Sequence, residues 1–167
     1  MKIVLVSLLL LIPGFTFAQD SVVISLGDSL SVTFPAKPME RQIDESRKSL
    51  MIFHDNCTFV VLVSKIPENL VPQSHDEELI ALSHVMGKAE AVEKKRLLSE
   101  SKFKIGDIEG LEIIKYSVNP RTNQTMKESL RGFIYNGILY QINAGEVDLD
   151  NKSGSRKVRA FLESIKK

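Results

Sequence analysis

The chain has no tryptophan, a single cysteine and only three histidines among its 167 residues. Because one thiol has no second thiol to pair with, Cys57 excludes a disulfide within the chain and a metal site built from cysteines. Cys57 opens an apolar run, so we interpret it as a small buried hydrophobe rather than a reactive thiol. With three tyrosines and no tryptophan, the chain also lacks the aromatic platform on which sugars or bases stack.

An excess of charge of one sign is lacking as well. The 22 lysines and arginines are matched by 21 acidic residues, and Lys2 is the one charged residue before Gln19. A balanced chain has no electrostatic attraction toward nucleic acid or acidic lipid. We therefore expect no nucleic-acid partner. Since no second long apolar run follows Ile12, we also expect no stable membrane insertion of the mature chain.

Motifs of the common enzyme classes are missing. The chain contains no G-x-S-x-G, G-x-x-x-x-G-K-[ST], G-x-G-x-x-G or H-E-x-x-H segment. Asp148-x-Asp150-x-Lys152 begins like a calcium loop but lacks the later glycine and glutamate. No two histidines have the spacing of a zinc-binding helix; they are His54, His75 and His84. The sequence therefore predicts no catalytic, cofactor-binding or metal-ligating residue, no cofactor and no enzyme activity.

The chain begins with the parts of a secretory signal peptide in order. Lys2 gives a positive start, and the apolar run Ile3–Ile12 is too short to span a hydrocarbon core of about 30 Å as a helix. A proline and a glycine break the run, and small residues then occupy the −3 and −1 positions of a cleavage site before Gln19. We predict a signal peptide at 1–18, a single domain at 19–167 and a secreted or periplasmic location.

Three segments of the first half predict strands. Ser29–Phe34 alternates apolar and polar residues, Leu50–Phe53 is a short apolar segment, and Pro35 and Pro38 indicate a loop between them. Thr58–Ser64 differs because its five central residues are all apolar. A strand that is apolar on both sides requires cover on both faces, which predicts a sheet sandwiched between helices.

Two segments have helical patterns. Ser74 and Glu77 have the spacing of a capping box, which predicts one helix from about His75 to about Arg96. Its expected core stripe is Leu82, Val85, Met86, Ala89 and Val92. The helix dipole explains the acidic first turn, Asp76, Glu77 and Glu78, and the basic end, Lys94, Lys95 and Arg96. A second helix starts at Ser153 or Ser155 and carries Val158, Phe161, Leu162 and Ile165.

The second half predicts strands joined by short turns. Gly106-Asp107 indicates a turn between strands at Lys102–Ile105 and Leu111–Val118, and a polar loop begins at Asn119-Pro120. Asn136-Gly137 lies between apolar runs and predicts a type I′ hairpin, because that turn needs positive φ at both positions. The paired strands are Lys127–Tyr135 and Ile138–Ala144, with Phe133 opposite Tyr140 and Ile134 opposite Leu139. Short turns predict an α+β fold with a mainly antiparallel sheet and helices on both faces, an α/β/α sandwich.

Four segments together resemble a known class of small secreted bacterial domains. They are Leu30-Ser31-Val32-Thr33-Phe34-Pro35-x-x-Pro38; Gly106, Gly110 and Glu112 ahead of a strand; Asn136-Gly137-x-Leu139-Tyr140-Gln141; and Arg159-x-Phe161-Leu162-x-Ser164-Ile165. The chain resembles the PsbP-like class, which takes its name from an extrinsic subunit of photosystem II and includes a nuclear Ran-binding relative. The resemblance implies an antiparallel sheet with helices on both faces. It also implies a binding or assembly factor rather than an enzyme, and it assigns no functional residue here.

Three functions stay open. The first is an exported non-catalytic domain that binds a partner protein or assists an envelope assembly. The second is a small secreted hydrolase whose site is assembled only in three dimensions, and the third is a carrier of a lipid or another small ligand. A deep pocket with converging polar groups favours the hydrolase, an exposed apolar patch favours the binder, and an enclosed apolar cavity favours the carrier.

The signal peptide gives the first testable prediction. Intact-mass analysis of secreted material should show a chain that begins at Gln19, because the signal peptidase recognises the small residue Ala18 at the −1 position. Cyclisation of the new N-terminal glutamine to pyroglutamate releases ammonia and would lower that mass by the mass of one ammonia molecule. A mature product that retains Met1 would contradict the prediction.

Overall fold

The structure is a computed structural model that describes residues 21–27, 29–118, 123–147 and 152–167. The predicted signal peptide at 1–18, the loop at Asn119-Pro120 and the acidic pair Asp148 and Asp150 lie outside the described residues. Within the described ranges the chain forms nine strands and three α-helices. None of these helices is long and apolar enough to cross a bilayer.

The elements follow one another in the order strands, helices, strands, helix. The strands are β1 (Val22–Gly27), β2 (Leu30–Phe34), β3 (Met39–Asp44), β4 (Arg47–His54), β5 (Cys57–Lys65), β6 (Leu97–Ile105), β7 (Ile108–Val118), β8 (Thr125–Tyr135) and β9 (Ile138–Glu146). The helices are α1 (His75–Val85), α2 (Lys88–Glu93) and α3 (Lys152–Glu163), and Glu68–Leu70 forms a 3-10 turn.

The strands form one large and one small sheet. The large sheet has seven strands in the order β3-β4-β5-β9-β8-β7-β6, and the small sheet is the hairpin β1-β2. All of these neighbours are antiparallel, which confirms the prediction of an α+β fold with a mainly antiparallel sheet. The chain end after α3 closes on the hairpin, because Ser31 and Lys166 exchange two backbone hydrogen bonds of 2.9 and 3.0 Å.

Strands β1 and β3 were not predicted from the sequence. All six residues of β3 are exposed, so this strand has no apolar alternation to detect and was expected to be a loop after Pro38. Pairing with β4 holds it in place, and a side-chain network closes the turn. Asp44 Oδ1 accepts hydrogen bonds from the Ser46 amide at 3.0 Å and hydroxyl at 2.8 Å, while Arg47 Nε donates to Oδ2 at 2.7 Å. The Arg47 hydrogen bond, followed by those from Ser46, lowers the pKa of Asp44 to about 2.

The single helix predicted from about His75 to about Arg96 is wrong. The structure has α1 and α2 there, separated at Gly87, whose φ of +68° is left-handed and ends the first helix. The chain turns at this point, so the helical phase does not continue. Leu82 and Met86 are buried as expected, whereas Val85, Ala89 and Val92, which the predicted stripe placed in the core, are exposed.

The N-terminus of α1 follows the capping prediction with one change. Ser74 Oγ accepts a hydrogen bond of 3.3 Å from the Glu77 amide, as a capping box requires. Glu77 Oε2 accepts instead from the amide of Gln73 at 2.8 Å, one residue before the cap. The first bond satisfies an amide that the first helical turn leaves without an internal partner, and the second holds the residue before the cap against the helix.

Buried apolar residues form two clusters. The larger one, here called the α3 core, includes Val158, Phe161 and Leu162 of α3, and it packs on strands β2, β5 and β9. The Phe161 ring lies 5.0 Å from the rings of both Phe34 and Phe59, so aromatic contacts join the helix to both sheets. The smaller one, the α1 core, consists of Leu82, Met86, Leu111 and Ile113.

The hairpin predicted at Asn136-Gly137 is confirmed. The two turn residues have φ values of +51° and +72°, as a type I′ turn requires. The register places Phe133 opposite Tyr140 and Ile134 opposite Leu139. The rings of the first pair stack with centroids 4.9 Å apart and an interplanar angle of 14°, and both side chains are fully buried.

This geometry predicts the effect of changes at Gly137. No atom lies within 4 Å of a Cβ built there, so Gly137→Val meets no clash and its cost is backbone strain alone. A β-branched residue at positive φ should lower the free energy of unfolding by roughly 1–3 kcal/mol. Gly137→Asn is the control, since asparagine accepts this conformation and should lose less. Urea denaturation measures the free energy of unfolding of both variants. Equal urea midpoints would contradict the claim that backbone strain at position 137 destabilises Gly137→Val.

A second change tests the core beside the hairpin. Phe133→Ala removes a fully buried ring that stacks on Tyr140, so it should cost about 3–5 kcal/mol. Against a typical domain stability of about 5–15 kcal/mol, the shift of the urea midpoint should be plainly visible. A near-neutral result would mean that the ring does not belong to the core.

Candidate protein-binding surface

Strand β5 carries the apolar residues that predicted cover on both of its sides. Phe59 and Val61 are fully buried in the α3 core. Val60 and Leu62, which alternate with them and point the other way, are only partly buried. The second side of this strand is therefore incompletely covered.

The same exposed side continues over the neighbouring strands. Register pairs place Val60 beside Met51 of β4, and Met51 beside Met39 of the edge strand β3. Phe53 follows two residues after Met51 and points the same way. Met39 is 64% exposed, Met51 42% and Phe53 63%. We call this surface the open face and define it by Met39, Met51, Phe53, Val60 and Leu62.

Helix α1 borders the open face on one side. Gln141 of β9, which pairs with Leu62, donates through Nε2 to the carbonyl oxygen of Val85 at 3.4 Å. Farther along the same row, a Cβ on Gly132 would lie 2.7 Å from Sδ of Met86, so the end of α1 rests directly on the strand there. A groove of about 170 Å³ runs between helix and sheet, and its lining includes Val60, Leu62, Met86, Leu130, Gln141 and Asn143.

Charged side chains are confined to the border of this surface. Ser49 and Thr58 stand between its apolar residues, and both are uncharged. Arg47 points to the same side and forms a 2.7 Å hydrogen bond with Asp44. Arg41, which pairs with Ser49, is exposed and makes no ion pair with any described residue. An apolar centre rich in methionine and phenylalanine, with charges only at the rim, is the composition of a protein–protein interface.

A second and larger groove, of about 450 Å³, lies between α1, α2 and β6. Its polar lining includes Ser83, His84, Lys88, Glu100 and Ser101. Lys88 and Glu100 form an ion pair. Among the described residues, no side chain forms a hydrogen bond with the hydroxyl of either serine. We assign it no reaction.

His75 has a structural place at the start of α1. Its Nε2 lies 2.8 Å from Oε1 of Glu109, and its Nδ1 lies 3.4 Å from Oε2 of Glu78. These carboxylates, Glu109 first, raise the pKa of His75. The ammonium of Lys102, at 2.9 Å, and then His75 lower the pKa of Glu109 to about 2. The cluster therefore fastens the helix start to the turn between β6 and β7.

Cys57 is fully buried, as its position in the sequence predicted. It stands between His54 on β4 and Glu146 on β9 in the register of the sheet. The sequence did not single out Glu146, which is almost fully buried and accepts a hydrogen bond of 2.6 Å from the Ser155 hydroxyl. Burial, followed by the charge of Glu146, raises the pKa of the Cys57 thiol, so little of it is thiolate at neutral pH.

The described histidines do not gather into a ligand set. His54 Nε2 lies 3.2 Å from Asp55 Oδ2, and His84 is exposed on α1. Within the described ranges, no three His, Cys, Asp or Glu side chains come together as metal ligands would.

Sequence reasoning did not identify the open face, although one signal for it was present. The segment Leu50–Phe53 is apolar at all four positions, like the centre of β5 beside it. Two neighbouring strands that are apolar on both sides need more cover than the helices provide. The exposure of Met39 carried no signal, since β3 itself was not predicted.

Comparison with solved structures identifies the fold as PsbP-like. Cyanobacterial PsbP (CyanoP) from Synechocystis sp. PCC 6803 is similar with a TM-score of 0.61 at 7% sequence identity, over 91% of this chain and 95% of that chain. The PA94 protein of unknown function from Pseudomonas aeruginosa is similar with a TM-score of 0.50 at 10% identity, over 87% of this chain and 95% of that chain. No protein-family model and no curated protein sequence matches the chain. Identities this low establish a common fold, and the fold alone.

The burial of Cys57 leads to a test of thiol reactivity. The native protein should react with Ellman's reagent at pH 8 at least about 100-fold more slowly than the protein in urea, because the thiol must first be exposed by opening of the structure. Cys57→Ser is the control and should give no signal in either state. Native labelling as fast as that of a free thiol would show a reactive, accessible site instead.

Proposed function

We propose that this chain is an exported, non-catalytic domain that binds a partner protein through its open face. The observation that carries the proposal is the exposure of Met39, Met51 and Phe53 together on one sheet surface whose charged residues lie at its border. Burying one such side chain contributes about 1.5–3 kcal/mol, so a surface that leaves three of them in water gains much from a partner.

We also infer that helices cover both faces of the large sheet, one of them only in part. Neighbouring residues of β8 support this inference. Arg131 donates through Nη1 to the carbonyl oxygen of Leu162 in α3 at 2.7 Å, whereas Gly132 lies against Met86 at the end of α1. Successive residues of a strand point to opposite faces. On this reading, the open face is the part of the α1 side that α1 and α2 do not reach.

Export rests on the sequence. The order of a positive start, a short apolar run and small residues before Gln19 is that of a cleavable signal. A secreted or periplasmic location gives the domain access to envelope proteins, and the PsbP-like fold is compatible with a binding role. Assistance to an envelope assembly is the form of binding that we favour.

The proposal is tested with two variants that remove exposed apolar side chains, one on the open face and one outside it. The double variant Met51→Ser and Phe53→Ser removes the centre of the open face. The control Leu70→Ser removes an equally exposed residue, 65% against 63% for Phe53, from the 3-10 turn. Each tagged full-length protein is expressed in the cells that make it. Partners are then recovered from the envelope fraction and quantified by mass spectrometry against an untagged background.

We expect the wild type and Leu70→Ser to recover the same partner protein, in equal amounts per molecule of tagged protein. The double variant should recover at least about tenfold less, because central apolar anchors carry most of the energy of an interface. Thermal melting should change little in all three proteins, since each substituted side chain is at least 42% exposed. Equal recovery by the double variant and the wild type would overturn the open face as the binding surface.

A further inference from the structure

The open face has the width of one helix. It spans strands β3, β4 and β5, and three neighbouring strands about 4.8 Å apart form a floor of about 10–15 Å. An α-helix with its side chains is about 10–12 Å across. The end of α1 stands beside this floor as a wall, since Met86 lines the groove together with Val60 and Leu62. The adjoining part of the sheet already carries a helix in this way.

The edge of the sheet is less suited to a partner than its face. Edge strand β3 carries Glu40, Arg41 and Asp44, and charged side chains on an edge oppose pairing with an additional strand. Gln42 Nε2 also donates to the carbonyl oxygen of Arg47 at 3.2 Å, so side-chain contacts occupy the turn end of the strand. These features favour an occupant that lies on the face over one that extends the sheet.

Charged side chains of both signs border this face, and one basic side chain among them lacks an ion pair. Arg41 and Arg47 point to the same side as Met39 and Met51, and so does Asp44, the register partner of Arg47. Glu128 of β8 lies farther along the same side, in the row of Phe53, Thr58 and Gly145. Asp44 already pairs with Arg47, whereas Arg41 has no ion-pair partner among the described residues. A second copy that brought its own open face would offer Arg41 no free carboxylate from strands β3 to β5, because its Asp44 is already held by Arg47. Charge complementarity therefore selects an occupant with a carboxylate.

We propose that the occupant of the open face is an amphipathic helix of the partner protein, which carries a carboxylate that pairs with Arg41. Its apolar side rests on Met51, Phe53 and Val60, next to the end of α1. This inference rests on the proposed function and specifies the partner's binding element. Recognition of an amphipathic helix by an apolar surface, with a charge pair that fixes its register, is a common mode of protein binding.

Photo-crosslinking identifies the element that touches the face. The full-length protein is made with p-benzoylphenylalanine in place of Phe53, an aromatic residue whose side chain is 63% exposed. The same amino acid in place of Leu70 is the control. After irradiation in the producing cells, mass spectrometry identifies the cross-linked peptide. We expect the position-53 probe to label one segment with apolar residues every three to four positions and an acidic residue at one end.

The charge pair is tested on that segment. A synthetic peptide of the cross-linked sequence is titrated against the purified protein, with affinity read by fluorescence anisotropy and helix formation by circular dichroism. Arg41→Glu should weaken binding at least about tenfold, and Arg41→Lys should weaken it less. A peptide whose acidic residue is changed to lysine should bind the Arg41→Glu protein more tightly than the unchanged peptide does. If Arg41 had only a structural role, this charge exchange would not restore affinity.

The outcomes separate this inference from the proposed function. Equal labelling by the probes at positions 53 and 70 would overturn the open face as a binding site, and the inference with it. Specific labelling of a partner segment that binds as a strand or loop would overturn the helix alone. Labelling of lipid or of a second copy of this chain would also overturn the inference, as would an affinity that Arg41→Glu leaves unchanged.

Discussion

The pairing of strand β5 with strand β9 holds the two halves of the chain in one sheet. Residues Cys57–Lys65 pair with Ile138–Glu146 along their whole length, although more than seventy residues separate the two strands. The pairing joins the β3-β4-β5 meander to the β6-β7-β8-β9 meander. It also sets Phe59 and Val61 beside Ala144 and Ile142, and this row is the floor on which α3 packs. Without this contact, each half would be a small meander with an unpaired edge and an incomplete core.

The same pairing decides where cover is missing. Strand β5 is an interior strand, between β4 and β9. Its second side faces away from the α3 core and adjoins the end of α1. The break at Gly87 ends α1 at Val85, and α2 then contacts β6 and β7. Neither helix turns back toward β3 and β4. The exposure of Met39, Met51 and Phe53 thus follows from the length and direction of two helices rather than from the strands themselves.

Polar contacts secure the positions of these covering elements. His75 and Lys102 both contact Glu109 and fasten the start of α1 near the β6–β7 turn. At the other end of the molecule, Ser155 and buried Glu146 join the first turns of α3 to the last residue of β9. These contacts fix the helices, so the groove beside Met86 has a defined wall. A binding surface built on fixed elements loses less conformational entropy when a partner arrives.

The sequence by itself determined the local features of this protein. Asn136-Gly137 dictated its hairpin and register, because few residues accept positive φ at both turn positions. The apolar spacing around Phe161 dictated the inner side of α3, and the run Phe59–Val63 required a central strand. Only the tertiary structure decided the rest. Strand β3 exists through pairing with β4, the predicted long helix is divided at Gly87, and Glu146 of β9 meets Ser155 of α3. Local patterns reflect short-range geometry, whereas exposure of the open face depends on which distant elements reach it, and no spacing along the chain records that.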